Sequence, residues 1–228
     1  MDIPKRIFTF CVYGTQPKYC QGMVRNLEYI TSHFPEFEVW IDIGADVPSS
    51  YKATYASFPR VRLFERATAD GRLMSYRFFH IDDPDVELML VRDADSRIGP
   101  RDIWCIQQFL ASDKKIFTIR DHIYHGMPIM GGQWGMRKIP GFNMRTAYVT
   151  FYKGSVPSTA YSSDQNFIAQ AVYRPFIPYF IAYTSSITLP GECAVPIDCP
   201  RASDTDFCGN VILFAADGSE YPEFTYSA

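Results

Sequence analysis

Strand-like and helix-like segments alternate along the first half of the chain, and this alternation constrains the fold more than any other feature. The strand-like segments are the apolar runs "RIFTFCVYG", "FEVWIDIGA", "VRLFERA", "VELMLVRDAD" and "KKIFTIRD". Between them, "PKYCQGMVRNLEYITSHF", "PSSYKATYASF", "GRLMSYRFFHI" and "RDIWCIQQFLAS" have the apolar spacing of helices. Repeated strand-then-helix units build a mostly parallel sheet covered on both faces. The sequence therefore predicts an α/β fold with helices flanking such a sheet.

The rhythm changes after about Asp121. The segment "HIYHGMPIMGGQWGMRKIPG" is rich in glycine and irregular, "NMRTAYVTFYKG" and "SSDQNFIAQAVYRPF" look helical, and the tail after Tyr183 is rich in Pro, Cys and Gly. Loop-rich material after a regular α/β half is typical of a region that shapes a second ligand's pocket. We therefore expect a single domain over 1–228, with a nucleotide-binding half (1–120) and a loop-rich half for the second ligand (121–228).

Charge and composition limit the classes of ligand that the protein is expected to bind. The formal net charge is −3 and no cluster of five or more Lys and Arg residues is present, so a nucleic-acid backbone has no basic stripe to bind. The chain has 18 Phe and 15 Tyr, a surplus that serves core packing or stacking on bases and sugars. We expect a small-molecule or glycan ligand and no nucleic acid.

The cysteines and the apolar runs bear on the compartment. The six cysteines include no C-x-x-C pair, which favours reduced packing residues. Cys193, Cys199 and Cys208 leave a disulfide or a metal site as an alternative, although their spacings match no zinc pattern. The N-terminus lacks the apolar run of a signal peptide, and no segment approaches the roughly 18 apolar residues of a membrane span. We expect a cytoplasmic protein.

Two carboxylates, Asp93 and Asp95, close the apolar run "VELMLVRDAD". Ligands of parallel sheets gather at the carboxyl ends of strands, and strand alternation sends both side chains to one face with their Cα atoms about 7 Å apart. Both can therefore approach one hard cation such as Mn²⁺ or Mg²⁺. The alternative is a turn or helix-cap role, for which Ser96 and Asp102 are already available.

Three chemistries use such a pair. A haloacid-dehalogenase phosphatase needs Thr or Val at the fifth position of its D-x-D motif, where this chain has Arg97. An EF-hand loop fails at Arg97 and again at Ile98, where it needs a glycine. Metal-dependent glycosyl transfer remains, in which the pair holds the cation against the diphosphate of a nucleotide sugar.

The motif order resembles that of a known family. "LVRDADSRI" resembles the D-x-D segment of GT-A glycosyltransferases, and "CVYGTQPKYCQGMVRN", "HGMPIMGGQWGMRK" and "SSDQNF" resemble a subset that includes glycosyltransferase domains of large DNA viruses of algae (chlorovirus type). The resemblance spans about Phe10 to Phe167. It implies a GT-A-like, Rossmann-type sheet and a hexosyltransferase-type enzyme. Such an enzyme moves a sugar from a nucleotide diphosphate sugar, foremost a UDP-sugar, to a glycan hydroxyl.

The resemblance also implies donor-binding residues. Tyr13 and Gly14 end the first strand where a base and ribose would lie, or they form a plain turn in which Gly14 permits close backbone approach. The absence of G-x-G-x-x-G after this strand argues against a nicotinamide or flavin protein. Arg77 stands alone in the apolar helix "LMSYRFF", where an arginine needs a partner; the resemblance assigns it the D-x-D carboxylates or the nucleotide. Ala94, between the carboxylates, joins this site.

Reaction residues are expected at "SSDQNF". Asp164 is expected to face the reacting sugar, and Gln165 to bond its hydroxyls. The alternative for Asp164 is an acid in the first turn of a helix, stabilised by the helix dipole. Asp164 suits the base that inversion requires, whereas retention places different demands on the same face.

Further substrate contacts are expected in the glycine-rich segment. His122 and His125 are expected to act as a metal ligand or a diphosphate donor, or else to be solvated loop histidines. Gly131 and Gly132 precede Trp134, whose indole is expected to stack on a sugar or to anchor the core.

Two rival functions remain open at this stage. One is a metal-dependent phosphohydrolase or nucleotidyltransferase on a similar sheet, and the other is a nucleotide-sugar-binding module without turnover.

Overall fold

The computed structural model describes residues 4–68, 70–153 and 162–226. Within these residues, eight strands form one sheet: β1 Lys5–Val12, β2 Glu38–Gly44, β3 Val61–Arg66, β4 Val86–Arg92, β5 Ile116–Arg120, β6 Gln133–Arg137, β7 Phe180–Thr184 and β8 Cys193–Pro196. A separate antiparallel pair, β9 Ile212–Phe214 and β10 Glu220–Pro222, lies in the tail.

Helices alternate with these strands. They are α1 Pro17–His33, α2 Ser49–Ala56, α3 Pro100–Ala111, α4 Met144–Tyr152, α5 Ser163–Ile168 and α6 Arg174–Phe176, with 3₁₀ segments at Gly71–Asp82 and Ile177–Tyr179 and a π-helical turn at Ala169–Tyr173. Pro17 and Pro100 begin α1 and α3, where the fixed φ of proline suits the first helical position. Gly154, the end of the helix predicted from "NMRTAYVTFYKG", lies outside the described residues.

The sheet has the order β3-β2-β1-β4-β6-β5-β7-β8. β6 runs antiparallel to β4 and β5, and the other paired strands of the described sheet are parallel. The prediction of a mostly parallel sheet flanked by helices is confirmed. Both faces are buried by two apolar layers, one containing Phe8, Phe10 and Leu27, the other containing Ile7 and Phe78.

The prediction of an irregular segment from His122 to Gly141 is wrong at β6. A Cβ on Gly135 would lie 2.6 Å from the Phe117 ring and 2.7 Å from Leu90 Cδ2. Gly135 is therefore a packing glycine inside the sheet, where side chains of both neighbouring strands fill the space above it. On the basis of the sequence alone, this glycine indicates a loop.

Trp134 is the clearest correction at the level of single residues. It lies in β6 with none of its surface exposed, and its ring packs 5.5 Å from that of Phe78. The expectation of an indole facing a sugar is wrong, and the core-anchor alternative holds. Alternation along β6 turns this side chain into the apolar layer, which the surrounding glycines did not reveal.

The thiols of all six cysteines are free. Over the described ranges, no helix combines the length and the apolar character needed to cross a membrane.

Candidate active site

The site lies at the edge of the sheet where β1, β4 and β5 end. Because β6 is antiparallel to β4, its first residues lie at this same edge, and the register places Gln133 opposite Arg92. A cavity of about 620 Å³ opens there. It is lined by these residues predicted from the sequence: Tyr13, Arg77, Asp93, Ala94, Asp95, His122, His125, Gly131, Gly132, Asp164 and Gln165. Gly14 and Trp134 are absent from the lining.

Asp93, Ala94 and Asp95 form a turn after β4, and α1 stabilises this turn through hydrogen bonds. The Asn26 side chain of α1 is buried and donates to the carbonyls of Ala94 (3.4 Å) and Ser96 (2.9 Å). These bonds satisfy turn carbonyls that would otherwise be buried without a donor. The carboxylate pair is thus held by a polar side chain that apolar helix periodicity did not single out.

Close packing and the tail complete this support. A Cβ on Gly22 would lie 2.4 Å from the carbonyl oxygen of Ala94, so α1 approaches the turn only because Gly22 has no side chain. From the tail, the amide of Ile212 donates to the carbonyl of Asp95 over 2.8 Å. The D-x-D turn is therefore fixed from two sides of the fold.

Arg77 joins two carboxylates that line the cavity, Asp93 and Asp164. Its side chain is 1% exposed, with Nη1 2.5 Å from Asp93 Oδ1 and Nη2 3.5 Å from Asp164 Oδ2. It also donates to the carbonyls of Arg92 (2.9 Å) and Gly131 (3.2 Å). Burial acts to lower the pKa of Arg77, but the charges of Asp93 and Asp164 outweigh it and the pKa is raised. Arg77 is a permanent cation between two acids.

Two glycines let the β5–β6 connection approach these acids. A Cβ on Gly132 would lie 1.9 Å from Asp93 Oδ2, and one on Gly131 would lie 2.9 Å from Gln165 Cγ and 3.3 Å from Asp164 Oδ2. The wall of the cavity beside both carboxylates is therefore bare backbone. Any side chain at Gly132 would occupy the space of the Asp93 carboxylate.

Asp95 differs from Asp93 in lacking a close cation. Its nearest salt-bridge partner is Lys18, whose Nζ is 4.0 Å from Asp95 Oδ2. Burial, and then the charge of Asp93, raise the pKa of Asp95 to about 6. The pair therefore carries more negative charge than its surroundings neutralise.

This donor set fits a hard divalent cation. Carboxylate oxygens are the ligands that Mg²⁺ and Mn²⁺ prefer, and an ion held by one or two carboxylates normally completes its shell with water and substrate phosphates. Over the described residues, no group of three His, Cys, Asp or Glu side chains is placed to hold a metal by itself. Asp93 and Asp95 are the residues that would hold the ion.

Asp164 lies in the first turn of the short helix α5, which follows Ser162 in the left-handed conformation (φ 64°). Asp164 is 8% exposed, and the pKa of its carboxylate is raised by burial against the opposing effect of Arg77. In the described part of the chain, Gln165 Oε1 has no hydrogen-bond partner. Arg77 links Asp164 to Asp93 of the D-x-D turn, and the adjacent Gly131 and Gly132 lie beside these two acids.

The histidines are buried, contrary to the solvated-loop alternative. His122 stacks 4.3 Å from the Phe207 ring; its Nδ1 accepts from the Tyr124 amide and its Nε2 bonds the Thr225 carbonyl. Both ring nitrogens of His122 are thus engaged, so the expectation that His122 acts as a metal ligand or a diphosphate donor is wrong. His125 Nδ1 accepts from the Asp121 amide, which leaves Nε2 to carry the proton. Burial, and then the charge of His122, lower the pKa of His125 to about 4.

Gly14 forms a left-handed turn after β1. Its φ is +78°, its amide donates to Asp46 Oδ2 over 2.9 Å, and no atom lies within 4 Å of where a Cβ would be. The position needs glycine for the left-handed backbone after β1.

Sequence reasoning missed the tail as a wall of the cavity. The lining includes four residues of the tail: Phe207, Gly209, Val211 and Phe224. It also includes the following residues from earlier in the chain: Cys11, Tyr19, Gly71, Met74, Tyr124, Met127, Met130, Gln133, Ser162 and Ser163. The tail is anchored on buried Asp121, which accepts from the Cys208 amide (3.0 Å) and pairs with Arg201 (2.7 Å) and Arg101 (2.6 Å). The sequence signal for this anchor was Arg101, before the tail, and Arg201, inside it, because each arginine needed an acidic partner.

Comparison with known proteins gives the fold. No protein-family model and no curated protein matches the chain. Among solved structures, it is 14% identical to a glycosyltransferase involved in the glycosylation of the major capsid of PBCV-1, with a TM-score of 0.53 over 79% of this chain and 82% of that one. It is 11% identical to 4-diphosphocytidyl-2C-methyl-D-erythritol synthase from Anaerococcus prevotii (TM-score 0.51; 81% and 90% covered).

A third similar structure is the mannosyltransferase PcManGT from Pyrobaculum calidifontis, in complex with GDP-Man and Mn²⁺. The identity is 13% and the TM-score 0.52, over 89% of this chain and 59% of that one. At such identities the likeness concerns the fold, and it places the chain among α/β structures of the GT-A type.

Proposed function

We propose that the protein is a metal-dependent glycosyltransferase that moves a sugar from a nucleotide diphosphate sugar, foremost a UDP-sugar, to a hydroxyl of a glycan. One observation carries the proposal. The incompletely neutralised pair Asp93 and Asp95 and the carboxylate of Asp164 line one cavity, and Arg77 links Asp93 to Asp164. A GT-A type of fold supports it, because solved structures with this fold include enzymes that handle nucleotide sugars.

The first half of the chain would bind the donor. Asp93 and Asp95 would hold Mn²⁺ or Mg²⁺, and Tyr13 and Ala94 line the same part of the cavity. When bound, the cation supplies positive charge to the diphosphate as it leaves. Arg77 keeps Asp93 in place and adds a fixed positive charge, so the carboxylate does not have to reorganise when the donor arrives.

The second half would supply the group that acts on the acceptor. In the proposed step, the acceptor oxygen forms a bond to the anomeric carbon of the sugar while the bond from that carbon to the diphosphate oxygen breaks. The hydroxyl proton moves to the Asp164 carboxylate, whose raised pKa makes it a stronger base than an exposed aspartate. Gln165 would bond a sugar hydroxyl. A base on the acceptor predicts a product of inverted anomeric configuration.

A metal-dependent nucleotidyltransferase or phosphohydrolase is the second candidate, because the fold is shared with a diphosphocytidyl-compound synthase. The acidic pair suits a metal in either reaction. Products separate them: transfer of a sugar releases nucleoside diphosphate, whereas the rival reactions release pyrophosphate, nucleoside monophosphate or phosphate. Binding without any release would indicate a binding module.

The test screens UDP-, GDP-, ADP- and dTDP-sugars with MnCl₂, MgCl₂ or EDTA, first by thermal shift and then by released nucleoside diphosphate with a mixed glycan acceptor. We expect metal-dependent stabilisation by one nucleotide class and release of its diphosphate. Asp164→Asn should keep the donor-induced shift and lose most of the transfer rate, about 100-fold or more. Asp113→Asn, an exposed acid outside the cavity, is the matched control. Equal transfer by Asp164→Asn and wild type would contradict the base.

A further inference from the structure

Gln133 places an unused polar group in the wall of the cavity. The residue is 3% exposed and lines the cavity, yet within the described ranges its Oε1 has no hydrogen-bond partner. Its backbone is fully used, since its amide donates to the Met130 carbonyl and its carbonyl accepts from Thr118 Oγ1. Buried side-chain oxygens are normally satisfied, so the unpaired oxygen of this cavity-lining residue lacks a donor that a ligand could supply.

The mouth of the same cavity carries two exposed aromatic rings. Tyr124, from the β5–β6 connection, is 65% exposed, and Phe224, from the tail, is 40% exposed. Their centroids are 6.5 Å apart and their planes are inclined by 74°, and both residues line the cavity. Large rings left open to water beside a polar cavity are typical of binding surfaces.

The tail connects the buried amide to the exposed rings. A Cβ on Gly209 would lie 3.1 Å from Gln133 Cγ and Nε2, so the tail backbone packs directly on this side chain. The next residue, Asn210, donates from Nδ2 to the carbonyl of Phe224 over 2.9 Å. Gln133, Gly209 and Phe224 therefore belong to one continuous, fixed wall.

We infer that Gln133, Tyr124 and Phe224 form a subsite for a pyranose ring of the acceptor glycan. A pyranose has an edge of hydroxyl donors and an apolar face, which match an amide oxygen in the wall and aromatic rings at the mouth. The subsite carries no charge of its own and opens to solvent, where a glycan chain continues outward. The diphosphate of the donor, by contrast, needs the charged D-x-D side. This inference rests on the proposed function and names the acceptor-binding residues within it.

The test compares Gln133→Met, Tyr124→Leu and Phe224→Leu with wild type. The probes are methyl pyranosides of glucose, galactose, mannose, xylose and fucose and their disaccharides, in two-substrate kinetics with the donor found by the screen. We expect each variant to raise the acceptor KM about fivefold to tenfold, while the donor KM changes less than about twofold. Tyr124→Phe keeps the ring and should stay near wild type.

Matched controls separate the subsite from general surface effects. Gln108→Met and Tyr179→Leu replace the same residue types, exposed and outside the cavity, and should leave both KM values unchanged. Thermal melting adds a second readout, because a structural role for Gln133 would lower the Tm of Gln133→Met. Gln133→Met removes an unpaired buried oxygen, so its Tm should equal or exceed that of wild type.

The outcomes are distinct. An increase in donor KM with an unchanged acceptor KM, or no change in either, would overturn the subsite. If wild type neither binds nor turns over any nucleotide sugar, the proposed function fails instead. Saturation-transfer NMR with the same methyl glycosides then tests the subsite alone: binding that Gln133→Met and Phe224→Leu abolish supports it, and binding that they leave intact, or no binding to wild type, refutes it.

Discussion

The guanidinium of Arg77 lies 2.5 Å from Asp93 Oδ1, whereas the nearest cation to Asp95 among the described residues is Lys18 at 4.0 Å. The two acids of one D-x-D turn are therefore electrostatically unequal. Asp93 is compensated by a buried positive charge, and Asp95 is held ionised at neutral pH against burial and the charge of Asp93. Asp93 therefore contributes to the stability of the fold through its ion pair with Arg77, whereas Asp95 depends more strongly on a bound cation.

The carboxylates should respond oppositely to neutralisation. The pKa of Asp95 is raised in the fold, so its ionisation lowers stability progressively as pH rises from about 4 to about 6, and the loss is complete above that range. Asp95→Asn should therefore increase the free energy of unfolding at pH 7.5 in EDTA, by on the order of 2 kcal/mol, and the gain should shrink toward pH 4.5. Urea unfolding at both pH values measures it.

Asp93→Asn is the paired variant in that experiment. It leaves the 1%-exposed Arg77 without its nearest counter-charge and should reduce the free energy of unfolding by about 3 kcal/mol. Equal effects of the two substitutions at pH 7.5 would contradict the asymmetry. Both variants should lose the stabilisation that MnCl₂ and donor give to wild type.

Arg77→Lys should not replace the arginine. A lysine is a point charge and cannot bond Asp93, Asp164 and two carbonyls from one planar fork. We expect a loss of about 3 kcal/mol in the free energy of unfolding. Arg174→Lys, at an exposed position, should stay within about 0.5 kcal/mol of wild type. A tolerated lysine at position 77 would show that only the charge matters.

Gly132→Ala should impair the metal site more than Gly131→Ala. The new methyl group at 132 would meet the Asp93 carboxylate, which is clamped by Arg77, whereas the nearest atom at 131 belongs to the flexible Gln165 side chain. We expect Gly132→Ala to weaken Mn²⁺-dependent donor binding at least about tenfold, and Gly131→Ala to weaken it less than about threefold. Calorimetric titration of the donor at saturating MnCl₂ measures both; a reversed ranking would show that the bare backbone beside Asp93 is not required.

His125 should contribute to acid instability. Its pKa falls to about 4 in the fold, so the fold favours the neutral ring and loses stability as pH drops below about 6.5 toward 4. His125→Asn keeps an acceptor for the Asp121 amide and removes this titration. Between pH 7 and pH 5, its free energy of unfolding should fall about 2 kcal/mol less than that of wild type. The exposed His33→Asn should follow the wild-type curve; a similar curve for His125→Asn would place the ring's pKa near its ordinary value.

The local pattern of the sequence predicted the first half of the fold. Alternating strand and helix periods from Arg6 to Asp121 correspond to β1 to β5 and the helices between them, because each apolar period reports the face that its own element buries. The same reasoning predicted that Asp93 and Asp95 follow a buried strand at its carboxyl end and that Arg77 needs an acidic partner.

Periodicity also predicted the helical segments of the second half, but tertiary structure alone decided β6 and the path of the tail. Gly135 is a packing position only because Phe117 and Leu90 lie on the neighbouring strands, so no local pattern distinguishes β6 from a loop or turns Trp134 inward. The tail reaches the cavity through Asp121, which is 80 residues from Arg201 and 87 from Cys208 in sequence. Periodicity describes contacts within an element, whereas these positions depend on which distant elements meet, and that is settled by the packing of the whole chain.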